Sequence, residues 1–598
     1  MNIWEKNCEA LAKRDIRLEK MIKQYTANSE NVSSQTAKDG GLYQIFHNVR
    51  LNSAYSPMNE AICWGLRYKN ISDDTVFLVH GLGNGIFIRE LIKQKQGQRD
   101  VLVYEPFPEI FYDTMKNYDI TDIINNPHCK IIVKDMNEFT LAAEIMNLIT
   151  RFYKCNTNLT SLPQYSKIDS EGINYLEDIW REENDLLQIN KNTNKRFSQS
   201  DYHNQLYHFK YLRNQYLITN LADVWDKKMP MVIVGAGPSL DKNIEELKRL
   251  KGHVPILCMD SALITLEQHG LIPDFYMSIE AKKPLELFHK DWLEGIPYLG
   301  GLASTTELVD SNEFIGPKIF CKDTPFIEMV YKKMGLRIPT WQSGGNVGTA
   351  AFTASVEVGA KTLILVGHDH AFSESGEAHT DGRIEKYRES FWKDENNMVE
   401  GVNGRMIQSR CDWKLYLQWY IRSIPYLDDV EVINATEGGA RIQGTKEMKL
   451  SDVVKQYQDC EFSIEEIMGA MESPFDDDMM VRIHEYTEEM ERQRKSLLYQ
   501  AEKAEELARQ LLRELSLNQA ITTKSIKMSQ DLLKLNEEMM KKEIYKFIDE
   551  CKEAIEKDVE LGQYHSDNSE VQEYLNMYEE AYHQYEGLVA AAKFLKER

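Results

Sequence analysis

Two glycine-rich turns, each joined to an apolar run, constrain the fold of this chain most strongly. The first turn, residues 235–240 (GAGPSL), directly follows the apolar run 231–234 (MVIV). The second, residues 343–348 (SGGNVG), opens a run of small residues that leads to the apolar run 362–366 (TLILV). Such patterns are typical of strands and helices that alternate in a parallel sheet. Because free N–H groups at a helix start attract anions, the two turns predict a nucleotide phosphate site.

Length and charge limit the classes of protein. A chain of 598 residues exceeds one hydrophobic core and predicts two to four domains. The net charge of −23 argues against nucleic acid or an anionic membrane as a partner. No apolar run approaches the length of a membrane span, the N-terminal residues do not resemble a signal peptide, and the cysteines form no Cys-x-x-Cys pair. We therefore expect a cytoplasmic protein.

The hydrophobic pattern predicts an α/β fold in four parts. These are an N-terminal Rossmann-like domain (1–150), a helical connector (151–225), a central Rossmann-type domain (226–450) and a C-terminal all-α bundle (451–598). The N-terminal domain rests on predicted strands 75–79, 101–105 and 130–133. The central domain rests on predicted strands 231–234, 254–259, 275–279, 317–320, 362–366 and 430–434.

A further glycine loop, residues 81–85 (GLGNG), follows the first predicted strand of the N-terminal domain. Its spacing resembles that of a methyltransferase cofactor loop. However, the position two residues before Gly81, where such loops usually carry a carboxylate, is occupied by Val79. We therefore expect a scaffold domain, and methyl transfer remains an alternative.

The C-terminal part shows a heptad pattern. Apolar residues recur every seven positions at Met490, Leu497, Ala504 and Leu511, and the intervening positions of the same face are Tyr486, Ala501, Leu507 and Leu515. This spacing predicts an antiparallel bundle or a short coiled coil. Its role is packing or the docking of a partner.

An acidic residue follows the second predicted strand of the central domain. Asp260, with Ser261 beside it, lies where open parallel sheets hold ligands, so its carboxylate is a candidate acceptor for ribose hydroxyls or a base amine. The alternative is that Asp260 caps a helix over residues 262–269.

Five sequence blocks together resemble a known family. They are 235–240 (GAGPSL), 260–263 (DSAL), 272–275 (IPDF), 343–347 (SGGNV) and 365–369 (LVGHD). They are similar to the MptE-like central domain of the motility-associated factor (Maf) proteins. Those proteins are flagellin glycosyltransferases that transfer nonulosonic acids from CMP donors to Ser or Thr, and they are distantly similar to bacterial sialyltransferases. The resemblance therefore implies a GT-A-like Rossmann-type fold for the central domain. The resemblance is clearest over residues 226–385 and extends loosely to the whole chain.

The resemblance implies roles for individual residues. It implies contact with the CMP phosphate for Gly235, Gly237, Pro238 and Ser239, contact with the nucleoside for Asp260 and Ser261, and contact with the opposite side of CMP for Gly344, Gly345 and Asn346. Relatives commonly carry Asp at the donor-binding position that Glu280 occupies here.

Three residues are the catalytic candidates. The resemblance implies that Asp369 lies at the floor of the donor pocket, and His379 matches a histidine that follows the Gly-x-Asp strand in Maf relatives. Because the ordinary pKa of histidine lies near operating pH, His379 is the candidate base for the acceptor hydroxyl. His370 is the rival base, because this chain has histidines at 368 and 370 where relatives more often have Gln and Leu. The chain also has Ala236 where sialyltransferases often have Asn.

Further expectations concern metals and partners. A metal cluster of His368, His370 and His379 lacks an acidic or cysteine partner, so we predict no metal site and no required cofactor, while a need for a divalent ion stays open. Arg383, Lys386 and Arg388 are candidates to bind the sugar carboxylate, or they form an exposed basic helix.

The expected partners are a CMP-nonulosonic acid donor and flagellin. One alternative is a pterin-type pyrophosphokinase that uses Mg-ATP with Asp260, Asp274, Glu280 and Asp369. The other is a non-catalytic scaffold that binds flagellin.

Overall fold

The computed structural model describes residues 2–26, 31–71, 75–93, 100–151, 156–280, 288, 291–302, 304, 316–321, 325–337, 344–373, 376–380, 397–427, 429–555 and 570–595. It divides into two compact units, Met1–Ile189 and Asn190–Arg598. Among the described residues, no helix is both long and apolar enough to cross a membrane.

The first unit is built around a four-stranded parallel sheet. The strands of the unit as a whole are β1 (Val32–Thr36), β2 (Leu42–Phe46), β3 (Val49–Arg50), β4 (Val76–His80), β5 (Val101–Glu105), β6 (Cys129–Val133) and β7 (Thr157–Ser161). The parallel sheet has the order β6-β5-β4-β7, and β1–β3 form a separate antiparallel sheet. The strand order reverses between β4 and β7, as in Rossmann folds, and confirms the Rossmann-like prediction.

Helices surround these strands. They are Ile3–Arg14, Ile16–Gln24, Pro57–Gly65, Ile86–Lys93, Pro108–Asn117, Thr121–Asn125, Leu141–Arg151, Tyr165–Ile168 and Gly172–His208, the last of which contains the boundary between the units. Strands β4 and β5 are buried along their whole length. Burial on both faces explains why their sequences are continuous apolar runs without alternation.

The second unit contains a nine-stranded sheet in which every strand pair is parallel. The order is β18-β17-β14-β9-β10-β11-β12-β13-β8, and β15 and β16 form a separate hairpin. The strands are β8 (Tyr216–Leu217), β9 (Met231–Val234), β10 (Ile256–Met259), β11 (Phe275–Ser278), β12 (Tyr298–Gly300), β13 (Lys318–Phe320), β14 (Thr362–Val366), β15 (Met398–Glu400), β16 (Met406–Gln408), β17 (Glu431–Asn434) and β18 (Lys446–Glu447).

Helices cover both faces of this sheet. On one face, Met231 and Ile233 belong to a core that includes the helices Ile218–Val224, Val347–Val358, Cys411–Ser423 and Ile464–Ala470. On the other face, Val232 and Val234 pack against Leu240–Lys248, Leu263–Gln268 and Leu450–Tyr457. Alternate residues of one strand thus belong to different cores, as the pleat of a strand requires.

The C-terminal helices form a bundle. They are Asp477–Asn518, Thr523–Met540, Tyr545–Ile555 and Glu570–Phe594, and a further helix described in this unit is Pro325–Met334. All four heptad residues are buried in one core that also contains Phe326 and Val330 of the helix Pro325–Met334. Leu507 of the intervening face is only half-buried. The core therefore joins the bundle to one end of the parallel sheet within this unit.

The structure confirms the predicted fold class, α/β with parallel sheets and a helical C-terminal part. Each predicted strand agrees with an observed strand to within two residues at either end. Within the two parallel sheets, strands β7, β8, β12 and β18 were not predicted, because β7 is polar and the others have only two or three residues. The antiparallel strands β1–β3 and the hairpin β15–β16 were not predicted either. The segment predicted as a helical connector contains the long helix and also β7 and β8.

The bundle core gives a stability prediction. Leu497 is fully buried, so Leu497→Ala should lower the free energy of unfolding by about 2–5 kcal/mol through lost burial and the cavity left behind. The matched control is Leu533→Ala, because Leu533 is 64% exposed and should change stability by no more than about 0.5 kcal/mol. Urea unfolding measures both, and equal midpoints for the two variants would contradict the assigned core.

Candidate functional site

The predicted site residues gather where the strand order of the nine-stranded sheet reverses. Strands β10–β13 lie on one side of β9, and β14, β17 and β18 lie on the other. The turn 235–239 follows β9, and Gly367-His368-Asp369-His370 follows the neighbouring strand β14. In open parallel sheets, ligands bind at the carboxyl ends of the strands beside such a reversal.

The two turns are in direct backbone contact. The N–H of Gly235 donates to the carbonyl of Val366 over 2.8 Å, and the N–H of Gly237 donates to the carbonyl of Gly367 over 2.9 Å. A Cβ atom on Gly235 would lie 2.6 Å from the Gly367 carbonyl oxygen. On Gly237 it would lie 1.9 Å from an Asp369 carboxylate oxygen. Both glycines therefore permit close approach of one turn to the other.

Asp369 occupies the N-terminus of the helix Leu240–Lys248. Its carboxylate accepts the Ser239 hydroxyl over 2.6 Å and the Ser239 N–H over 3.2 Å, and both residues are buried. Burial raises the pKa of Asp369 to about 6, and the two Ser239 hydrogen bonds oppose that rise. In this structure the Ser239 groups predicted to meet the donor phosphate are thus directed at an internal carboxylate.

His368 and His370 lie on the other side of the same turn. Gly367 at φ +71° and His370 at φ +47° interrupt the alternation of an extended strand. Both imidazoles face Tyr420, with ring centroids 5.9 and 5.4 Å away. Burial, followed by repulsion from His370, lowers the pKa of His368 to about 3, and burial lowers the pKa of His370 to about 4. Both imidazoles are therefore neutral at neutral pH.

His379 is brought to the first glycine turn by its neighbour. The N–H of Thr380 donates to the carbonyl of Ala236 over 3.1 Å, and its hydroxyl hydrogen-bonds with that of Thr265. The half-buried His379 ring stands perpendicular to Trp413, with the centroids 5.9 Å apart. His379 therefore lies within one residue of a direct contact with the turn.

Trp413 is a site residue that the sequence analysis missed. Phe372 lies 5.0 Å from it between ring centroids, and the Arg410 guanidinium lies 4.6 Å from its ring centroid. Arg410 also pairs with Asp412 at the start of the helix Cys411–Ser423. No local motif marks this tryptophan, because the aromatic rings that it contacts, those of Phe372 and His379, belong to a segment 30 or more residues earlier in the chain.

Asp260 is fully buried at the end of β10. It accepts the hydroxyl of Ser278, which ends the neighbouring strand β11, over 2.7 Å. Asp260 lies inside a short 3₁₀ helix, Asp260–Ala262, and its side chain caps neither this helix nor Leu263–Gln268. The capping alternative is therefore wrong. Ser261 beside it is half-buried.

Glu280 lies two residues beyond β11 and is exposed. Its charge reaches Tyr416 on the helix Cys411–Ser423. Burial, together with the carboxylates of Asp412 and Glu280, raises the pKa of Tyr416 to about 12, while Arg410 opposes the rise. The end of β11 therefore faces the first turns of that helix across the sheet edge.

The second glycine turn starts the helix Val347–Val358. Asn346 caps it by accepting the Thr349 N–H over 2.8 Å, and the Thr349 hydroxyl accepts the Gly344 N–H over 2.9 Å. Gly345 has φ +94°, which suits glycine. A Cβ atom on Gly348 would lie 3.3 Å from the Tyr420 hydroxyl, so this helix start reaches the neighbourhood of His368 and His370.

Some predicted residues lie outside the described part of the chain. These are Ser343 and the basic group Arg383, Lys386 and Arg388. Within the described part, no cluster of three or more His, Cys, Asp or Glu side chains is arranged to hold a metal ion.

Comparisons with known proteins support the resemblance of the central part of the chain to MptE-like domains. Residues 203–375 match the family model described as 6-hydroxymethylpterin diphosphokinase MptE-like, and the matched segment contains the whole described sheet edge from β9 to β14. A 77-residue segment is 34% identical to an uncharacterized protein of Treponema pallidum (strain Nichols), covering 12% of this chain and 37% of that relative. This chain therefore aligns with little more than a third of the relative's length.

A solved structure also aligns with the chain. It is the structure of MAf glycosyltransferase from Magnetospirillum magneticum AMB-1, at 12% sequence identity and a TM-score of 0.46. The alignment covers 99% of this chain and 95% of that one.

The buried Asp369 predicts a pH-dependent stability difference. Its pKa is raised from 3.8 to about 6 in the folded state, so the folded state binds the proton more tightly than the unfolded state does. Protonation of Asp369 therefore stabilises the fold at low pH, and this stabilisation is lost as pH rises from 4 through 6. The stability of Asp369→Asn relative to the parent should therefore rise by about 2 kcal/mol between pH 4 and pH 7.5, at 1.36 kcal/mol per pKa unit, because the unfolded side chain is already more than half ionised at pH 4.

Urea unfolding at the two pH values measures this difference. Glu377→Gln is the control, because Glu377 is exposed in the same region and should show no such change. Parallel pH profiles for Asp369→Asn and the parent would contradict the buried, ionised Asp369.

Proposed function

We propose that this protein is a glycosyltransferase that moves a nonulosonic acid, of pseudaminic or legionaminic type, from a CMP donor to Ser or Thr of flagellin. One observation carries the proposal: a single sheet edge holds a buried acidic group, the start of a twelve-residue helix and a half-buried histidine. Donor binding, departure of a phosphate and activation of a hydroxyl require those three functions. The sequence blocks that resemble Maf proteins lie on these segments.

The nucleoside is proposed to bind at the ends of β10 and β11. Asp260 is held there by the Ser278 hydroxyl, and its carboxylate is the group that would accept hydrogen bonds from ribose or from a base amine. The half-buried Ser261 lies beside it. The exposed Glu280 is proposed to line the outer side of the donor pocket.

The phosphate is proposed to bind at the start of the helix Val347–Val358. The N–H groups of Gly237 and Ser239 at the first turn already donate to Gly367 and Asp369. At the second turn, the Asn346 cap fixes the helix start, and the helix dipole favours the negative charge that develops on the leaving CMP. The first turn then shapes the pocket through its contact with Asp369.

His379 is the proposed base. It takes the proton of the acceptor hydroxyl while that oxygen bonds to the anomeric carbon and the bond from that carbon to the CMP phosphate breaks. A base must reach its acceptor, and His379 is half-buried, whereas the Nε2 atom of the rival His370 is buried. Trp413 limits the orientations of the His379 ring.

A second candidate function is pyrophosphoryl transfer from ATP to a pterin alcohol. It is favoured by the description of the family model that matches residues 203–375. A third is a non-catalytic flagellin-binding scaffold. Turnover of a CMP-sugar would exclude the scaffold, and a thermal shift with Mg-ATP but not with CMP would favour the pyrophosphokinase.

Donor binding gives the first functional test. Asp260→Ala should weaken CMP binding by about 1–3 kcal/mol, or about 5- to 150-fold in Kd, because a charged hydrogen bond to the nucleoside is lost. The matched control is Asp274→Ala: Asp274 is equally buried but precedes β11, at the opposite edge of the sheet, where it pairs with Lys251. Calorimetry measures both, and unchanged affinity in a folded Asp260→Ala protein would overturn the nucleoside site.

The base gives the second functional test. His379→Ala should lower the rate of sugar transfer by about 10²–10⁴-fold and leave CMP affinity unchanged, since a general base acts on the acceptor. His370→Ala is the control, measured under the same conditions with flagellin and a CMP-nonulosonate. If His370→Ala stops transfer and His379→Ala does not, the base is His370.

A further inference from the structure

The first unit contains its own crevice where the strand order of the sheet reverses. The glycine loop 81–85 follows β4, and β7 lies beside β4 on the far side from β5. In Rossmann units that bind a cofactor, the N–H groups of such a loop face a phosphate. An acidic residue at the end of the next strand accepts the ribose hydroxyls. Glu105 ends β5 and is that acidic residue here.

The carboxylate of Glu105 is already satisfied by protein donors. Its Oε2 atom accepts the N–H of Leu82 over 2.8 Å, the N–H of Gly83 over 3.2 Å and the hydroxyl of Tyr165 over 2.5 Å. Its Oε1 atom accepts the N–H of Phe107 over 3.0 Å. The side chain is fully buried. The amides that would receive a ligand therefore hold a carboxylate of the same unit.

The ring of Tyr165 fills the remaining space over the loop. Tyr165 is 1% exposed, and a Cβ atom on Gly81 would lie 2.6 Å from its ring atoms. The N–H of Gly83 also donates to the Tyr165 hydroxyl over 2.9 Å. Gly81, at φ +101°, therefore leaves room for this aromatic side chain.

The segment that carries Tyr165 is tied to the sheet at both ends. At its start, the N–H of Leu162 donates to the carbonyl of His80 over 3.0 Å. At its end, Asp169 pairs with His80 Nε2 over 2.9 Å, and the other ring nitrogen of His80 lies 3.1 Å from the Ser161 hydroxyl. His80 is fully buried, so both ends of the segment are held by one residue of β4.

We infer that residues 162–169 form a fixed plug in this crevice and that the first unit binds no nucleotide cofactor. A ribose or adenine group could enter only by displacing the buried Tyr165 ring and taking the amides that satisfy a buried carboxylate. A buried carboxylate that loses its donors is strongly unfavourable. The glycine loop therefore serves folding, and the methyl-transfer alternative loses its site.

Hydrogen exchange of the full-length protein tests the plug. The peptide that contains the Leu82 and Gly83 amides should be protected without any ligand, and S-adenosylmethionine or NAD⁺ at millimolar concentration should not change its exchange. Glu105→Ala should speed its exchange by about tenfold or more, because both amides lose their acceptor. The control is Glu138→Ala, which removes a half-buried carboxylate of the same unit that accepts the Tyr104 hydroxyl.

A second variant covers the case in which Glu105→Ala fails to fold. Tyr165→Phe keeps the ring and removes the hydroxyl, so it should speed exchange of the same peptide more modestly, with Glu138→Ala at the parent rate. Fast exchange of this peptide in the parent protein that slows on addition of either cofactor would overturn the inference. So would calorimetric binding of a cofactor that persists with excess CMP.

Discussion

Buried carboxylates that accept hydrogen bonds from glycine-turn residues organise both parallel sheets of this protein. In the first unit Glu105 is held by the loop after β4, and in the second Asp369 is held by Ser239 after β9. Each contact joins the ends of two neighbouring strands of its sheet. Because a glycine turn can approach another chain segment closely, each contact fixes the geometry of the sheet edge where the strand order reverses.

Burial of these two carboxylates costs free energy, which explains why hydrogen-bond donors surround each of them. Burial raises the pKa of Glu105 to about 7 and that of Asp369 to about 6, and in both cases hydrogen bonds from the turn oppose the rise. Glycine takes part because any Cβ atom on Gly237 would collide with Asp369. The glycines that a motif search assigns to ligand contact thus also meet an internal requirement, so the motif alone does not identify a binding site.

The sequence was sufficient for the α/β class, the predicted strands of both sheets and the bundle face, because buried parallel strands and heptads leave strong periodic signals. It was insufficient where a feature depends on contacts between distant residues. The plug residue Tyr165 is 84 positions from Gly81, and Trp413 is 34 positions from His379, so no local spacing reveals either contact. The directions of His368, Asp369 and His370 also could not be predicted from strand alternation, since Gly367 and His370 adopt positive φ and the turn is not extended.

The two crevices differ in the path that the chain takes after the strand that borders each reversal of strand order, β7 in the first unit and β14 in the second. After β7, the chain folds straight back, and Tyr165 enters the crevice within four residues of Ser161. After β14, the turn instead sends Asp369 towards Ser239 and leaves His368 and His370 beside Tyr420, and the chain continues to Thr380, whose N–H contacts the first turn through Ala236. That path carries the half-buried His379 to the edge of the second crevice, and among its described residues no aromatic ring takes the position that Tyr165 has in the first. Two similar strand–turn–helix patterns in one chain thus lead to a crevice inferred to be closed and to another proposed as the reaction site.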